Sequence, residues 1–482
     1  MTSRKRDPGE SSWSQKLHTW MREKSNSRAY WILLASGIFF VLFIGMSNVG
    51  GLGLATHVAI PLSTNAEEAR QAFGASDGGS YLQAALGLRD LGPWGIGGNE
   101  WIYGNWPPGM VVLNLLLLLI ERTTGIPYVL LLVSAVSAIW TLILTRIAQV
   151  LERRRFGVGM AFLLVLGLSS IGHPILTRFS AYADGLAAGF MVLAVVEIFR
   201  QGPWSGNQLA FLYLRAAIFL SLAMHFRATY ETVATFLVVV TAVLALAWFA
   251  LSILLSRSFV FEWRNPVTSV FIVALASQVV SIPWRLIAGT FIRPGDFRWA
   301  TTLDSMPAMR WFPTDLYSKE AGFLRVGHAN FGCINDPVKC EEIRGIEQTS
   351  AAPYTGGGNF SQEQFQEELI QSFLNHPLTY FLERISMFFN GFLSTTGGEL
   401  GDWRIFEALL LLVGFVVAMF FLVKNQEAGL GGLLMAFLSI GALSGVLLFF
   451  HMETRYLLPV KLLMMSVIFI FLSQRRKDTT VL

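Results

Sequence analysis

Ten ionisable residues lie at or near the ends of apolar segments, where a charged side chain is costly and by default indicates a function. They are Asp77, His173, Arg178, Asp184, His225, Arg227, Glu231, His451, Glu453 and Arg455. A carboxylate can accept the proton of an attacking hydroxyl group. Arginine and histidine can bind a phosphate or diphosphate through charge-assisted hydrogen bonds. The set therefore suits the binding of an anionic headgroup combined with an acid–base step.

Each of these residues also has a purely structural interpretation. Asp77 can cap the helix that follows it, and Arg178 can bind a lipid headgroup. Arg227 can pair with Glu231 as a structural ion pair, and Arg455 can pair with Glu453 in the same way. For any one residue the structural interpretation is favoured. For the set as a whole, the functional interpretation is stronger, because randomly placed charges would not fall at several segment ends on one side of a membrane.

The composition is that of a polytopic membrane protein. Of the 482 residues, 53% are hydrophobic and only 14% are charged, a balance that excludes an ordinary soluble domain. The two cysteines show no spacing typical of a zinc site. The chain has neither a Gly-x-x-x-x-Gly-Lys loop nor a dinucleotide-binding glycine motif, which disfavours a nucleotide-driven machine. We expect no nucleic-acid partner.

The distribution of positive charge predicts the topology. Residues 1–29 form a basic tail, either a surface helix or a disordered segment, which should stay in the cytoplasm. The first span then leads outward, so the loop at about 55–126 is extracytoplasmic. The apolar segment 110–120 is short for a span of ~20 residues. If it crossed the membrane, Arg153, Arg154 and Arg155 would lie outside, against the positive-inside rule. We therefore expect that it does not cross.

These boundaries predict an all-α polytopic membrane protein with about ten transmembrane helices. Residues 30–289 form an N-terminal transmembrane module that includes the first outer loop. Residues 290–400 form a large extracytoplasmic loop with interfacial helices, and residues 401–482 hold the last transmembrane helices. This topology places all ten ionisable residues at the outer face. The sequence shows no internal repeat of the kind that builds transporters.

Five stretches resemble the GT-C membrane glycosyltransferases, and within them the mannosyltransferase and aminoarabinose-transferase-like families, which use polyprenyl-phosphate-linked sugars. They are Ser76–Tyr81 with its acidic residue, the Trp106–Gly109 turn, Thr177–Asp184, Asn375–Pro377 and His451–Pro459. The last is the most specific of the five. The resemblance implies a GT-C-like bundle with extracytoplasmic interfacial helices. It also implies a bacterial cytoplasmic membrane as the location and an active site that faces outward.

The resemblance also implies roles for individual residues. The acidic residue of the first loop, here Asp77, is the candidate general base, and Asp184 is the second catalytic candidate. The candidate contacts to substrate are Arg227, Arg455, Tyr456, Glu453, His451, His225, Arg178, Tyr81 and Trp106. The family is typically inverting, and some members use a divalent metal. Asp77 lacks the adjacent second acid of some relatives, which leaves metal use open.

On this interpretation the protein moves a sugar from a polyprenyl-phosphate donor to a hydroxyl group on a glycan, a lipid or a protein, in contact with membrane lipids. A second hypothesis is an O-antigen ligase or polymerase that uses a diphosphate-linked glycan. A third is a non-enzymatic transporter of lipid-linked glycans. The missing inverted repeat and the scarcity of charges in the middle of the apolar segments disfavour the transporter.

The two cysteines lie seven residues apart in the large outer loop, with Asp336 and Pro337 between them as a turn. Because an extracytoplasmic space is oxidising, we predict a disulfide between Cys333 and Cys340. Mass spectrometry after alkylation should find both thiols modified only when a reductant is added first. Alkylation of both thiols without reductant would show that the bridge is absent.

Overall fold

The computed structural model describes most of the apolar segments of the chain. The described ranges are 28–48, 60–73, 77–92, 107–155, 157–172, 183–199, 206–227, 229–254, 265–287, 402–424, 430–449 and 457–474, with two short strands and isolated helical positions at 175 and between 378 and 393.

The described ranges contain thirteen helices. They are α1 (Arg28–Asn48), α2 (Ala66–Phe73), α3 (Asp77–Leu91), α4 (Gly109–Thr124), α5 (Tyr128–Arg154), α6 (Val158–Leu168), α7 (Ala183–Ile198), α8 (Gly206–Phe226), α9 (Thr229–Leu254), α10 (Pro266–Ile287), α11 (Asp402–Lys424), α12 (Leu430–Phe449) and α13 (Leu458–Gln474). Two strands, β1 (Tyr317–Ser318) and β2 (Phe323–Leu324), pair antiparallel. This small hairpin, between α10 and α11 in the chain, is not predicted by the sequence pattern.

Six of the described helices are long and apolar enough to cross a membrane, namely α1, α5, α8, α9, α10 and α11. Helices α6 and α13 are apolar but shorter, and α12, with 20 residues, is apolar as well. The protein is therefore an α-helical membrane protein. Each of the ten predicted spans coincides with a helix, but the described residues confirm only six of them as long and apolar enough to cross a membrane. Helix α7 is also short, and other helices cover it on all sides.

Helix α7 lies at the centre of the bundle and packs against α5, α8, α12 and α13. All of its residues except Phe190 are buried. Its sequence is apolar on every side between its two terminal turns, a pattern that predicts burial all round. Small residues allow close packing, since a Cβ atom added at Gly189 would lie 2.8 Å from the side chain of Ile143.

Contacts between helices define two ends of the bundle. At the start of α5, the Tyr128 hydroxyl donates a hydrogen bond to Asn114 Oδ1 at 3.1 Å, and we call this the upper end. At the lower end, Arg155 Nη1 donates to the carbonyl oxygen of Leu472 at 3.3 Å, which joins α5 to α13. From α5 to α13, successive helices alternate in direction between these two ends.

Helix α4 joins two helices at the upper end. Its first residue, Gly109, packs against the backbone of His225 at the end of α8, where an added Cβ atom would lie only 2.6 Å from the carbonyl oxygen. Glu121, near its other end, accepts hydrogen bonds at Oε1 from the backbone N–H of Tyr128 at 3.1 Å and of Ala66 at 3.2 Å. A helix whose two ends both contact the upper end does not span the bundle. This agrees with the expectation that segment 110–120 does not cross.

The chain leaves α4 through Gly125, which adopts a left-handed conformation with φ of 71° and donates its N–H to the carbonyl oxygen of Glu121. Glycine suits this position because it has no Cβ atom to clash. At its other end α4 starts directly after Pro107 and Pro108, which suit the entry into a helix.

Two exposed arginines at opposite ends of the bundle allow a test of orientation. Arg122 lies on α4 at the upper end and Arg155 follows α5 at the lower end. In a chain with Cys333 and Cys340 replaced by serine, we expect Arg122→Cys to react with an impermeant thiol reagent on intact cells. Arg155→Cys should react only after permeabilisation, because basic loops stay in the cytoplasm. The reverse pattern would invert the orientation.

Candidate active site

A buried ion pair forms the centre of the upper end. Asp184 is the second residue of α7, and Arg227 directly follows α8. Arg227 Nε lies 2.9 Å from Asp184 Oδ1, and the two side chains are only 8% and 6% exposed. A charged pair so removed from water requires close geometry and additional polar partners to be stable. The pair therefore fixes the position of α7 relative to the end of α8.

The first loop docks onto this pair through α3. Arg227 Nη1 donates a hydrogen bond to the Tyr81 hydroxyl at 3.4 Å, and Tyr81 is 1% exposed. Leu82, Ala85 and Leu86 of the same helix are buried as well, and their spacing places them on one helical face. Asp77 is the first residue of α3, one helical turn before Tyr81. The backbone therefore places the candidate base one turn from the tyrosine that contacts the ion pair.

The backbone of Arg227 connects two helices. Its N–H donates to the carbonyl oxygen of Ala223 at 2.9 Å, and its own carbonyl oxygen accepts the N–H of Tyr230 at 3.1 Å. Tyr230 and Glu231 lie in the first turn of α9 and are both buried. A second buried carboxylate thus lies at the upper end, close in sequence to the arginine.

His225 lies at the end of α8, two residues before Arg227. Its Nδ1 atom is 2.6 Å from the carbonyl oxygen of Ser221, one turn earlier, which fits a ring that carries its proton on Nδ1. The backbone of His225 is covered by Gly109 of α4. The backbone of His225 is therefore held between the rest of α8 and the start of α4.

Several predicted site residues come together here. Arg227 is in direct contact with Asp184 and with Tyr81, and His225 lies two residues before Arg227 in the chain. The other candidates that concern side chains lie outside the described residues, namely Arg178, His451, Glu453, Arg455, Tyr456, Trp106, Cys333, Cys340 and the side chain of Asp77. Their roles stay predictions.

The contacts of Arg227 bear on its predicted role. Its guanidinium is buried against a carboxylate and a tyrosine hydroxyl, which suits a residue that positions the first loop. Contact of Arg227 with a donor phosphate stays a prediction, as does the corresponding contact of Arg455.

Two further charged residues near the upper end are not among the candidates that the sequence analysis names. Lys461 of α13 is buried, and its Nζ atom lies 5.2 Å from the centre of the Phe392 ring. Glu407 of α11 accepts the backbone N–H of Ser170 at 3.0 and 3.1 Å on its two oxygens. The sequence signal that identifies such residues is a charged side chain within the first turns of an apolar segment.

The described residues contain no group of three or more His, Cys, Asp or Glu side chains that could hold a metal ion. The described part of the site offers polar groups that can bind a substrate directly. It combines buried carboxylates, a guanidinium and a tyrosine hydroxyl beneath two surface helices, and it can orient a polar substrate and exclude bulk water.

Comparisons of the chain with protein-family models, with curated proteins and with solved structures find no match. The function proposed below therefore depends on the residues and their arrangement.

The buried ion pair should be coupled energetically. Removal of one partner leaves an unpaired buried charge and costs about 3–5 kcal/mol of stability. We expect Asp184→Asn and Arg227→Gln each to lower the thermal unfolding midpoint of the purified protein in detergent. The double variant should lose less than the sum of the two single losses.

The control for this cycle is an exposed ion pair. Arg89 Nε lies 2.6 Å from Asp90 Oδ1, with side chains 20% and 53% exposed, and the hydrogen bond from Arg89 holds the pKa of Asp90 below its usual value. Because exposed pairs contribute little, Asp90→Asn should leave the midpoint almost unchanged. Strictly additive losses in the buried pair would show that Asp184 and Arg227 do not stabilise each other.

Proposed function

We propose that the protein is a GT-C type membrane glycosyltransferase that transfers a sugar from a polyprenyl-phosphate donor to a hydroxyl acceptor. On this proposal the ten helices α1 and α5–α13 all cross the membrane. The upper end faces outward from a bacterial cytoplasmic membrane. The acceptor is a glycan, a lipid or a protein.

One observation carries the proposal. The first loop lies as short helices over the upper end, and α3 is anchored there by the contact of Tyr81 with the buried pair of Arg227 and Asp184. This arrangement gives Asp77 a defined place at the first turn of α3. A donor that is itself a lipid can reach such a site from the side, and an acceptor hydroxyl can reach it from the aqueous surface.

The proposed reaction is a single displacement. The oxygen of the acceptor hydroxyl forms a bond to the anomeric carbon of the sugar while the bond from that carbon to the phosphate oxygen breaks. The electron pair of the broken bond stays on the polyprenyl phosphate, and the proton of the hydroxyl passes to the carboxylate of Asp77. Attack from the face opposite the leaving phosphate inverts the configuration.

The remaining residues support this step in different ways. Arg455 and Tyr456 lie just before α13 in the chain. We assign them the role of binding the departing phosphate. An arginine fork stabilises the charge that grows there, which increases the rate more than it increases ground-state binding. Arg227, Asp184 and Tyr81 position α3 and so the base.

The experiment is a comparison of surface glycans, by mass spectrometry, in cells with and without the chain. We expect one sugar to be missing from the glycans when the chain is absent and restored when the wild-type chain is supplied. Asp77→Asn should fold normally and fail to restore the sugar, because the amide keeps the size of the side chain but cannot accept the proton.

Asp90→Asn is the matched control, since it makes the same change on an exposed carboxylate of the same helix. It should restore the sugar fully. Restoration by Asp77→Asn would remove Asp77 from the role of base. Unchanged glycans in cells without the chain would contradict the proposed function. A diphosphate-linked glycan copurifying with the protein, in place of a monophosphate-linked sugar, would favour a ligase or polymerase.

A further inference from the structure

Helix α4 carries an exposed apolar face. Four aliphatic side chains on this face are each between 41% and 53% exposed, namely Val112, Leu116, Leu119 and Ile120. They lie at positions i, i+4, i+7 and i+8, which share one side of a helix. We call these four residues the α4 stripe. A contiguous apolar patch on a protein surface indicates contact with lipid or with another protein.

The opposite face of α4 is buried against the rest of the protein. Its residues are Met110, Val111, Asn114, Leu117 and Leu118. Helix α4 packs along α3 and also contacts α5 and the end of α8. Asn114, a polar side chain on this buried face, accepts the hydrogen bond of the Tyr128 hydroxyl. The α4 stripe is therefore the outward surface of a helix whose inward surface is already packed.

Both ends of α4 lie where helices of membrane-spanning length begin or end. Gly109 packs against the backbone of His225 in the last turn of α8, and Glu121 accepts the backbone N–H of Tyr128 at the start of α5. Because α5 and α8 are long and apolar enough to cross a membrane, their upper ends lie near the boundary of the hydrocarbon core. Helix α4 therefore lies at this boundary. An apolar stripe at this level is stable among acyl chains and unfavourable in water.

Polar side chains follow the stripe at the end of α4. Arg122, Thr123 and Thr124 are all exposed. The Thr123 and Thr124 hydroxyls donate to the carbonyl oxygen of Ile120 at 3.1 and 2.7 Å, so they satisfy a backbone acceptor of the last turn. An arginine beside an apolar stripe can keep its aliphatic part in the hydrocarbon region and its guanidinium among phosphate headgroups. Arg122 therefore complements the phosphate layer of a leaflet, which favours a lipid surface over a second apolar protein face.

The exposed apolar surface continues in the chain beyond α4. Ile126, in the link from α4 to α5, is exposed, and so are Ala138 and Leu142 on α5 itself. On a helix that crosses a membrane, exposed apolar side chains of this kind face the acyl chains. The α4 stripe thus directly precedes a lipid-facing surface in the chain, and one bilayer can cover both.

We propose that the α4 stripe is embedded in the acyl chains of the leaflet at the upper end, with Arg122 at the level of its phosphate groups. The bilayer then holds α4 from the outside, and the contacts of Gly109 and Glu121 hold it from the bundle. Because α4 packs along α3, this lipid contact also sets the depth of the first loop relative to the headgroups. The inference is independent of the proposed reaction.

The test is EPR power saturation of single nitroxide labels in the full-length protein, reconstituted in vesicles of phosphatidylcholine and phosphatidylglycerol. Oxygen concentrates among acyl chains, whereas a neutral nickel chelate stays in water, so the ratio of their collision rates with a label reports its surroundings. The labels are attached to Leu116→Cys and Arg122→Cys in a chain with Cys333 and Cys340 replaced by serine. We expect the ratio of oxygen to chelate collisions to be severalfold higher at Leu116→Cys, because the bilayer excludes the chelate.

Arg122→Cys is the control in the same helix, and Leu142→Cys on α5 calibrates the ratio for acyl chains. All three side chains are exposed, so none of the labels disturbs a packed core. Equal ratios at Leu116→Cys and Arg122→Cys would place the α4 stripe in water and overturn the proposal. Low collision of the Leu116→Cys label with both reagents would show that protein covers the stripe, which would also overturn the proposal. Dipolar broadening between labels would then identify a second copy of the chain as that protein.

Discussion

The helix α7 sets the constraint on which the bundle depends. It is buried almost completely, and its two carboxylates, Asp184 and Glu197, lie at its two ends. A buried carboxylate is stable only when a cation and hydrogen-bond donors are placed around it. Arginines from α5, α8 and the residue after α8 supply these partners. The neighbouring helices are thus held against α7 at both ends by the need to pair its charges.

At the upper end the same pairing organises the candidate site. Arg227 contacts Asp184 and Tyr81 with its side chain and connects α8 to α9 with its backbone. The position of the first loop therefore depends on a residue that also determines helix packing. Fold and site cannot be separated here, because a change in the ion pair alters both the packing of α7 and the placement of α3.

The sequence was sufficient for the features that depend on local patterns. The apolar face of α3, the start of α4 after two prolines and its end at Gly125 all follow from periodicity and from turn chemistry. The partners of the charges did not follow, since Asp184 and Arg227 are far apart in the chain and periodicity carries no information on such contacts. In the same way, no local pattern indicates that the buried Glu197 pairs with Arg146 and Arg215.

The short length of α7 has a consequence for the response of the protein to its bilayer. Glu197 lies thirteen positions after Asp184, which corresponds to about 20 Å along a helix. This distance is less than the ~30 Å of a hydrocarbon core. Because other helices surround α7, lipid thickness does not act on it directly. The exposed helices α9 and α11 can tilt when the membrane becomes thinner or thicker. The spacing between these two carboxylates is then set by the number of residues in α7 and by the rise of the α-helix. It stays constant from one membrane to another.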